Sequence, residues 1–473
     1  MKQRRAIIGG ALVVLAVLLV FSPVLRNGFV DWDDDILIYA NPYIRGLDFL
    51  HLRWMLTSTL NSAWQPLGWF TLALIYKMFG LAAWAYHAQS LKLHLISTAL
   101  VYAIGLELLA GDVAASALAA LLFALHPLQV ESVAWASCGA DILCCMLSLG
   151  AIYAYLRSWR KTSYLIAAWA ALARWEAVTI FPLLLILDGL VLKKKFPWRG
   201  KLPFLFVAMG TGAANAIAKT SVMNYQSSSP SVAAAALAQF SVLGRIVVPV
   251  ALRPVYFITP ESTPLGFSAG QAAVFLLGLT ALSFMFRKKA PAALAAWLCC
   301  LAAIAPVVSM SRPGPLFVHD RYAYLPLAIV AMGIGALLKK RRALRPAASI
   351  VVVLLAAASI QRIAVWHDAE SLWKSVAAVD PQESLAYYDL GTLYMSRGKP
   401  YQAIYYFREQ ARRNPEKGRP NLARAWNDLG AAYSELGNWS RAAASFSSAL
   451  IYAPEEPQIK ANLSAARARL RKH

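Results

Sequence analysis

Residues 1–35 read MKQRRAIIGGALVVLAVLLVFSPVLRNGFVDWDDD, and the order of charge along them decides the fold class. Three cations (Lys2, Arg4, Arg5) precede the apolar run Ile7–Leu25, and Asp31, Asp33, Asp34 and Asp35 follow it. The run has 19 residues, enough helix to cross a hydrocarbon core of roughly 30 Å. No small-x-small cleavage site stands before Arg26, so the segment reads as an uncleaved first span with its amino end inside. The acids then fall on the outer side.

The rest of the chain repeats this alternation. Of 473 residues 59% are hydrophobic and 15% charged, with a mean hydropathy of +0.51, a balance that excludes an ordinary soluble enzyme. Further apolar cores run at 84–109, 113–125, 140–156, 164–174, 178–192, 202–219, 270–286, 292–309, 323–338 and 347–362. With the first they predict an all-α polytopic core of about eleven spans, several short enough to borrow flanking residues or re-enter. Basic clusters at Lys2–Arg5, Arg157–Lys161, Lys193–Lys201, Arg287–Lys289 and Lys339–Arg345 share one side if 64–79 and 233–252 lie at the outer interface without crossing. That side is cytoplasmic, which turns the loops 26–83, 126–139, 221–268 and 310–321 outward.

The net charge of +22 therefore reports orientation, not a nucleic-acid surface. Residues 366–473 hold 15 basic and 11 acidic side chains, against 31 and 13 in residues 1–365. The five cysteines sit in apolar runs without metal-ligand spacing and read as core residues. His87 and His94, seven apart on one helical face, read as polar glue between helices.

The carboxyl-terminal stretch 366–473 has a different period. Tyr387-x-x-Leu390-Gly391-x-x-Tyr394, Gly398, Ala403, Phe407 and Pro415 return 39 residues later as Trp426-x-x-Leu429-Gly430-x-x-Tyr433, Gly437, Ala442, Phe446 and Pro454. This is the tetratricopeptide pattern, lengthened by an insertion near Glu416–Pro420. Ala369, Trp373 and Pro381 fit the second half of a preceding unit, and Asn462–Leu470 a capping helix. The array forms a short α-solenoid domain that binds a partner or braces its neighbour. Asn438-Trp439-Ser440 is a formal glycosylation sequon lying on the turn between two repeat helices.

Polar residues are scarce before Trp366, so their grouping is informative. Four of the thirteen acids there lie within 31–35. Crowded carboxylates split their titrations, which suits a general base beside a partner and also suits a solvated loop. A second island is His126-Pro-Leu-Gln-Val-Glu131-Ser-Val-Ala-Trp135, closed by Asp141. The third is His319-Asp320-Arg321-Tyr322, where an arginine at the membrane surface can hold a phosphate or snorkel to headgroups. Arg174 and Glu176 pair at a helix junction, as a structural ion pair or in a functional role. Trp32 and Trp64 suit a sugar face or an aromatic belt. No nucleotide-binding spacing occurs, which disfavours a sugar-nucleotide donor or an ATP-driven pump. Charges gathered in loops rather than at mid-membrane disfavour a transporter.

Taken in order, 27–34, 41–47, 64–67, 126–135, 320–326 and 366–373 resemble the multispanning, tetratricopeptide-tailed glycosyltransferases of GT-C type, including the transmembrane O-mannosyltransferases and their bacterial relatives. The resemblance implies a GT-C core over 1–365, extracytoplasmic repeats over 366–473, and a bacterial inner membrane as the location. It implies a polyprenyl-phosphate sugar donor and an acceptor, protein hydroxyls, outside the cytoplasm. Asp33 and Asp34 become base and partner, Glu131 a second acid near the acceptor or a divalent metal, and Arg321 with His319 and Arg174 the donor-phosphate clamp. Trp32, Trp64, His126, Asp141 and Tyr322 become sugar or acceptor contacts. Ser137-Cys138-Gly139-Ala140-Asp141 departs from the relatives' Glu-Arg-Lys-Asp, keeping the last acid, and Arg174-Trp175-Glu176 replaces a lysine followed by Pro or Glu. The other class consistent with these features is a non-catalytic, membrane-anchored scaffold for envelope assembly.

Overall fold

A helix Lys2–Phe21 carries the first apolar run and passes through a 3₁₀ turn, Ser22–Arg26, with Pro23 in its first turn, where a missing N–H costs nothing. The computed structural model describes residues 2–194, 198–222, 232–257, 266–309, 317–413 and 419–471. Apart from one two-residue ladder these are helices and their connections, and the chain is a multi-pass membrane protein with a helical-repeat tail.

Among the described residues five helices are long and apolar enough to cross a membrane: Lys2–Arg26, Ala83–Leu108, Ala136–Leu156, Asp320–Lys340 and Arg342–Val365. The other six expected stretches are helical too; the longest, Leu202–Val222 and Pro291–Ser309, have apolar helical parts at Leu202–Ala218 and Pro291–Pro306. Val113–Ala124, at 12 residues, reaches only about 18 Å. Ile180–Ile186 continues into a π-turn, Leu187–Val191. The stretches left at the interface form Pro66–Phe79 and Val232–Val247, the second closing ahead of Val248-Pro249 rather than at residue 252. Parts of the loops 221–268 and 310–321 lie outside the described residues, as does most of the repeat insertion (414–418).

The chain forms two compact units, Met1–Gly28 with Asp33–Ala364, and Phe29–Trp32 with Val365–His473. In the first, small residues let helices approach closely. A Cβ on Gly105 would stand 3.0 Å from Ser116 Cβ, and one on Gly335 3.0 Å from Ala119 Cβ. The polar face of Ala83–Leu108 is used for packing. His94 meets Tyr324 Oη at 2.8 Å and the Ala124 carbonyl at 3.1 Å, and His87 meets the Gly28 carbonyl at 3.2 Å. Asp188 accepts from Tyr155 Oη (2.6 Å) and Lys201 Nζ (2.5 Å), both charges being fully buried. All five cysteines are unbridged.

The second unit stacks Ala369–Val379, Ser384–Ser396, Pro400–Arg413, Arg419–Glu435, Trp439–Tyr452 and Pro457–Leu470. Its signature glycines act by absence of a side chain: Gly430 leaves room for the Phe446 ring, whose Cδ1 would stand 2.6 Å from an added Cβ. Gly398 and Gly437 take left-handed φ (+65° and +68°) in the inter-helix turns. Asn438 is spent as an N-cap, its side chain accepting from Arg441 N. Trp32 belongs to this unit, its ring edge-on to Trp373 at 5.4 Å.

Candidate functional site

Three polar clusters of the first unit come from distant parts of the sequence. The first follows the first span. Asp33 sits in the left-handed region (φ +63°), a strained position for a residue with a Cβ, and accepts from Asn61 Nδ2 at 3.1 Å. Burial raises its carboxyl above the ordinary aspartate value, against the pull of Arg321, Asn61 and Arg174. The two arginines are thus within electrostatic reach of Asp33. Asp34 is fully buried, and its Oδ1 accepts from both the backbone N–H and the hydroxyl of Ser137. Asp34 therefore anchors the start of the helical stretch Ala136–Leu156, at the serine that opens the unusual Ser137–Asp141 segment.

The second cluster joins residues 190 apart. Arg321 NH1 donates to Glu131 Oε1 at 2.7 Å, and the Asp320 N–H donates to Glu131 Oε2 at 3.1 Å. Glu131 is buried, and burial raises its carboxyl against the lowering effect of Arg321. The Arg321 guanidinium also lies over Trp135 and Tyr322, 4.9 and 5.5 Å from the ring centres. His319 Nδ1 lies 2.6 Å from the Pro254 carbonyl, and burial and Arg321 hold its pKa well below 6.5. The contact pins the start of the Asp320–Ala323 turn to the third outer loop. His126 likewise uses both ring nitrogens internally, Nδ1 accepting from Leu128 N and Nε2 facing the Ile246 carbonyl, with its pKa held at about 4 by burial. It supports the loop and has no nitrogen left for an acceptor.

In the third cluster Arg174 donates to Asp141 Oδ1 at 2.8 Å and Gln65 Oε1 at 3.1 Å, with Glu176 Oε2 at 3.8 Å from Nε. Asp141, Glu176, Arg321 and Tyr322 line one cavity of about 30 Å³, closed by Leu325 and Pro326. Leu325 also lines an apolar groove of about 160 Å³ among Ile104, Leu149, Leu183, Leu187 and Met332. Trp64 is outside both cavities, half-buried, with Nε1 donating to the Leu56 carbonyl at 2.8 Å. Among the described residues no three His, Cys, Asp or Glu side chains are grouped to hold a metal ion.

Asn61, Gln65, Ser137, Arg245 and Tyr256 also belong to this network, and residue type alone did not single them out. Arg245 is a cation in the last turn of an otherwise apolar helix.

With this geometry in hand, the likeness to known proteins is specific. The chain is 34% identical over 149 residues to the protein O-mannosyl-transferase Tmtc2 of Drosophila melanogaster. It is similar to the tetratricopeptide-tailed O-mannosyl-transferases. Human protein O-mannosyl-transferase TMTC1 is 32% identical over 160 residues, and protein O-mannosyl-transferase F38B6.6 of Caenorhabditis elegans 28% over 144. These matches take in 28–31% of this chain but 16–21% of the relatives' own lengths. The family model for the tetratricopeptide repeat matches residues 381–450. A solved chain of the Cut9-Hcn1 hetero-tetramer overlays on 89% of this chain and 92% of its own at 12% identity and a TM-score of 0.22, too loosely to carry an argument.

Proposed function

We propose that the protein is a GT-C-type glycosyltransferase that moves a sugar from a polyprenyl-phosphate carrier to protein hydroxyls outside the cytoplasm. The observation carrying this reading is that Leu325 lines both an apolar groove and a neighbouring cavity holding Arg321, Tyr322, Asp141 and Glu176. The lining of the first suits a lipid chain, and the arginine-bearing lining of the second suits a phosphate. The names of the similar proteins make mannose the first sugar to test.

In the proposed reaction the acceptor oxygen attacks the anomeric carbon and the bond from that carbon to the phosphate oxygen breaks. The hydroxyl proton passes to Asp33, the less buried of the two aspartates, while Asp34 fixes the loop through Ser137. The polyprenyl phosphate leaves with the bond's electron pair, its charge met by Arg321 and Arg174. Glu131 and Asp141 hold these arginines until the phosphate arrives. The membrane topology is about eleven spans with the amino terminus cytoplasmic, and the repeats hold the protein acceptor.

The test is transfer from polyprenyl-phosphate mannose to a Ser/Thr peptide by the purified full chain. Product that disappears in Asp33→Asn supports the reading. A scaffold would leave the cellular phenotype intact in the Asp33/Asp34 double variant and lose it on deletion of 366–473.

A further inference from the structure

The third outer loop, which offered no site residue by type, is tied to the second cluster at four points. The Ile246 carbonyl meets His126, the Pro254 carbonyl meets His319, Tyr256 pairs with Val318 in the two-residue ladder, and Tyr256 Oη donates to Asp320 Oδ1 at 2.7 Å. Tyr256 is buried, and its hydroxyl in turn accepts from the Arg253 N–H at 2.8 Å. On the ring's face lies the Arg245 guanidinium, 3.4 Å from the centroid, with NH1 donating to the Ser241 carbonyl. A single line of contacts thus runs from Arg245 to the Tyr256 ring, from its hydroxyl to Asp320, from the Asp320 N–H to Glu131, and from Glu131 to Arg321.

Arg321 stands on the four-residue 3₁₀ turn Asp320–Ala323, which has no side-chain cap hydrogen bond of its own. The turn opens the helical stretch Asp320–Lys340, which sets its axis, while the residues at its open end, where backbone groups lack helical partners, are oriented by what grips them. Asp320 is its first residue: its side chain is held by Tyr256 and its N–H by Glu131. Asp320 Oδ2 makes no hydrogen bond among the described residues, so the directional contact of the carboxylate is the one at Oδ1, with the Arg362 and Arg245 charges also within electrostatic reach.

We propose that Tyr256, braced by Arg245, is a positioning residue that sets the Arg321–Glu131 pair through Asp320. This rests on the transferase reading above, in which Arg321 meets the donor phosphate. Removing the hydroxyl leaves a buried carboxylate short of a donor, and the turn relaxes by rotation, carrying Arg321 with it. A shift near 1 Å at a group that contacts the leaving phosphate costs on the order of tenfold to a hundredfold in rate.

The experiment uses the full-length protein in nanodiscs, hydrogen exchange of the 319–323 amides, and steady-state transfer from polyprenyl-phosphate mannose. In Tyr256→Phe, which keeps the ring over Arg245, exchange at the turn rises about tenfold and kcat falls about tenfold, with the acceptor KM within about twofold. If that variant does not accumulate, Arg245→Gln carries the test, with changes of about threefold in the same directions. Unchanged exchange overturns the proposal whatever the transfer assay reads. Faster exchange with wild-type kcat overturns the positioning role. Faster exchange in Y256F while the wild-type protein transfers no sugar overturns the proposed function, and leaves the tie between Tyr256 and the turn standing.

Discussion

Replacing Glu131 by Gln separates two roles that one carboxylate holds. In the resting protein Glu131 neutralises Arg321 and accepts from the Asp320 N–H; the second contact is buried and the first largely so, the Arg321 side chain being 12% exposed. Gln presents one acceptor and one donor where two donors already point, so one N–H is orphaned and the Arg321 charge is uncompensated. Breaking a buried pair in this way costs about 3–5 kcal/mol of stability. The effect on an anionic ligand has the opposite sign. A bound phosphate on the far side of Arg321 lies about 6 Å from the Glu131 carboxylate, and at an effective dielectric of about 20 the repulsion between them is about 3 kcal/mol. Its removal tightens binding by up to about a hundredfold. Thermal unfolding of wild type and E131Q, each with and without a short polyprenyl phosphate, reads both effects. E131Q unfolds well below wild type without lipid and recovers most of the difference with it, while its kcat falls because the leaving group is held too firmly. Equal stability without lipid, or equal stabilisation by it, refutes the account of Glu131 as the counter-ion that the phosphate replaces.

Asp33→Asn and Asp34→Asn each remove transfer, by about 10²–10⁴-fold for the base, while membrane insertion measured by protease protection is unchanged. Because burial raises Asp33, the basic carboxylate is lost as pH falls through a value above the ordinary 3.8, so the acid limb of the kcat profile lies above that value. The same raised pKa means that Asp33's favourable share of stability is present at low pH and declines as pH rises through it. Asp188→Asn removes the carboxylate charge that meets Lys201, only 1% exposed, at 2.5 Å, and lowers stability by about 3–5 kcal/mol in denaturant titration. Gly430→Ala drives a methyl into Phe446 and costs about 1–3 kcal/mol in the repeats, read as earlier proteolysis of 366–473 with the first unit intact.

Much of this architecture was legible before any coordinates, for physical reasons. The repeats were readable because Gly391 and Gly430 recur at a fixed distance from the phenylalanines they admit, a local constraint that sequence carries directly. The long membrane helices were readable because lipid demands continuous apolar length, and the short ones were legible as helix but not as spans. Asp33, Glu131 and Arg321 stood out because charge is rare there. Their pairings did not. Glu131 meets Arg321 across 190 residues, and Asp34 meets Ser137 across 103, through packing that no periodicity encodes. The histidines show the converse. His126 and His319 look chemical by type, and burial makes them neutral struts. Tyr256 stayed hidden in a loop whose only signal was a misplaced arginine eleven residues earlier.

The central claim is that this membrane core transfers a lipid-linked sugar to proteins outside the cytoplasm. Mass spectrometry of extracytoplasmic proteins and glycolipids from cells with and without the gene tests it most directly. The account predicts that a defined set of Ser/Thr peptides loses one hexose when the gene is removed and regains it with the wild-type gene but not with Asp33→Asn. Identical glycan inventories in all three strains would contradict it.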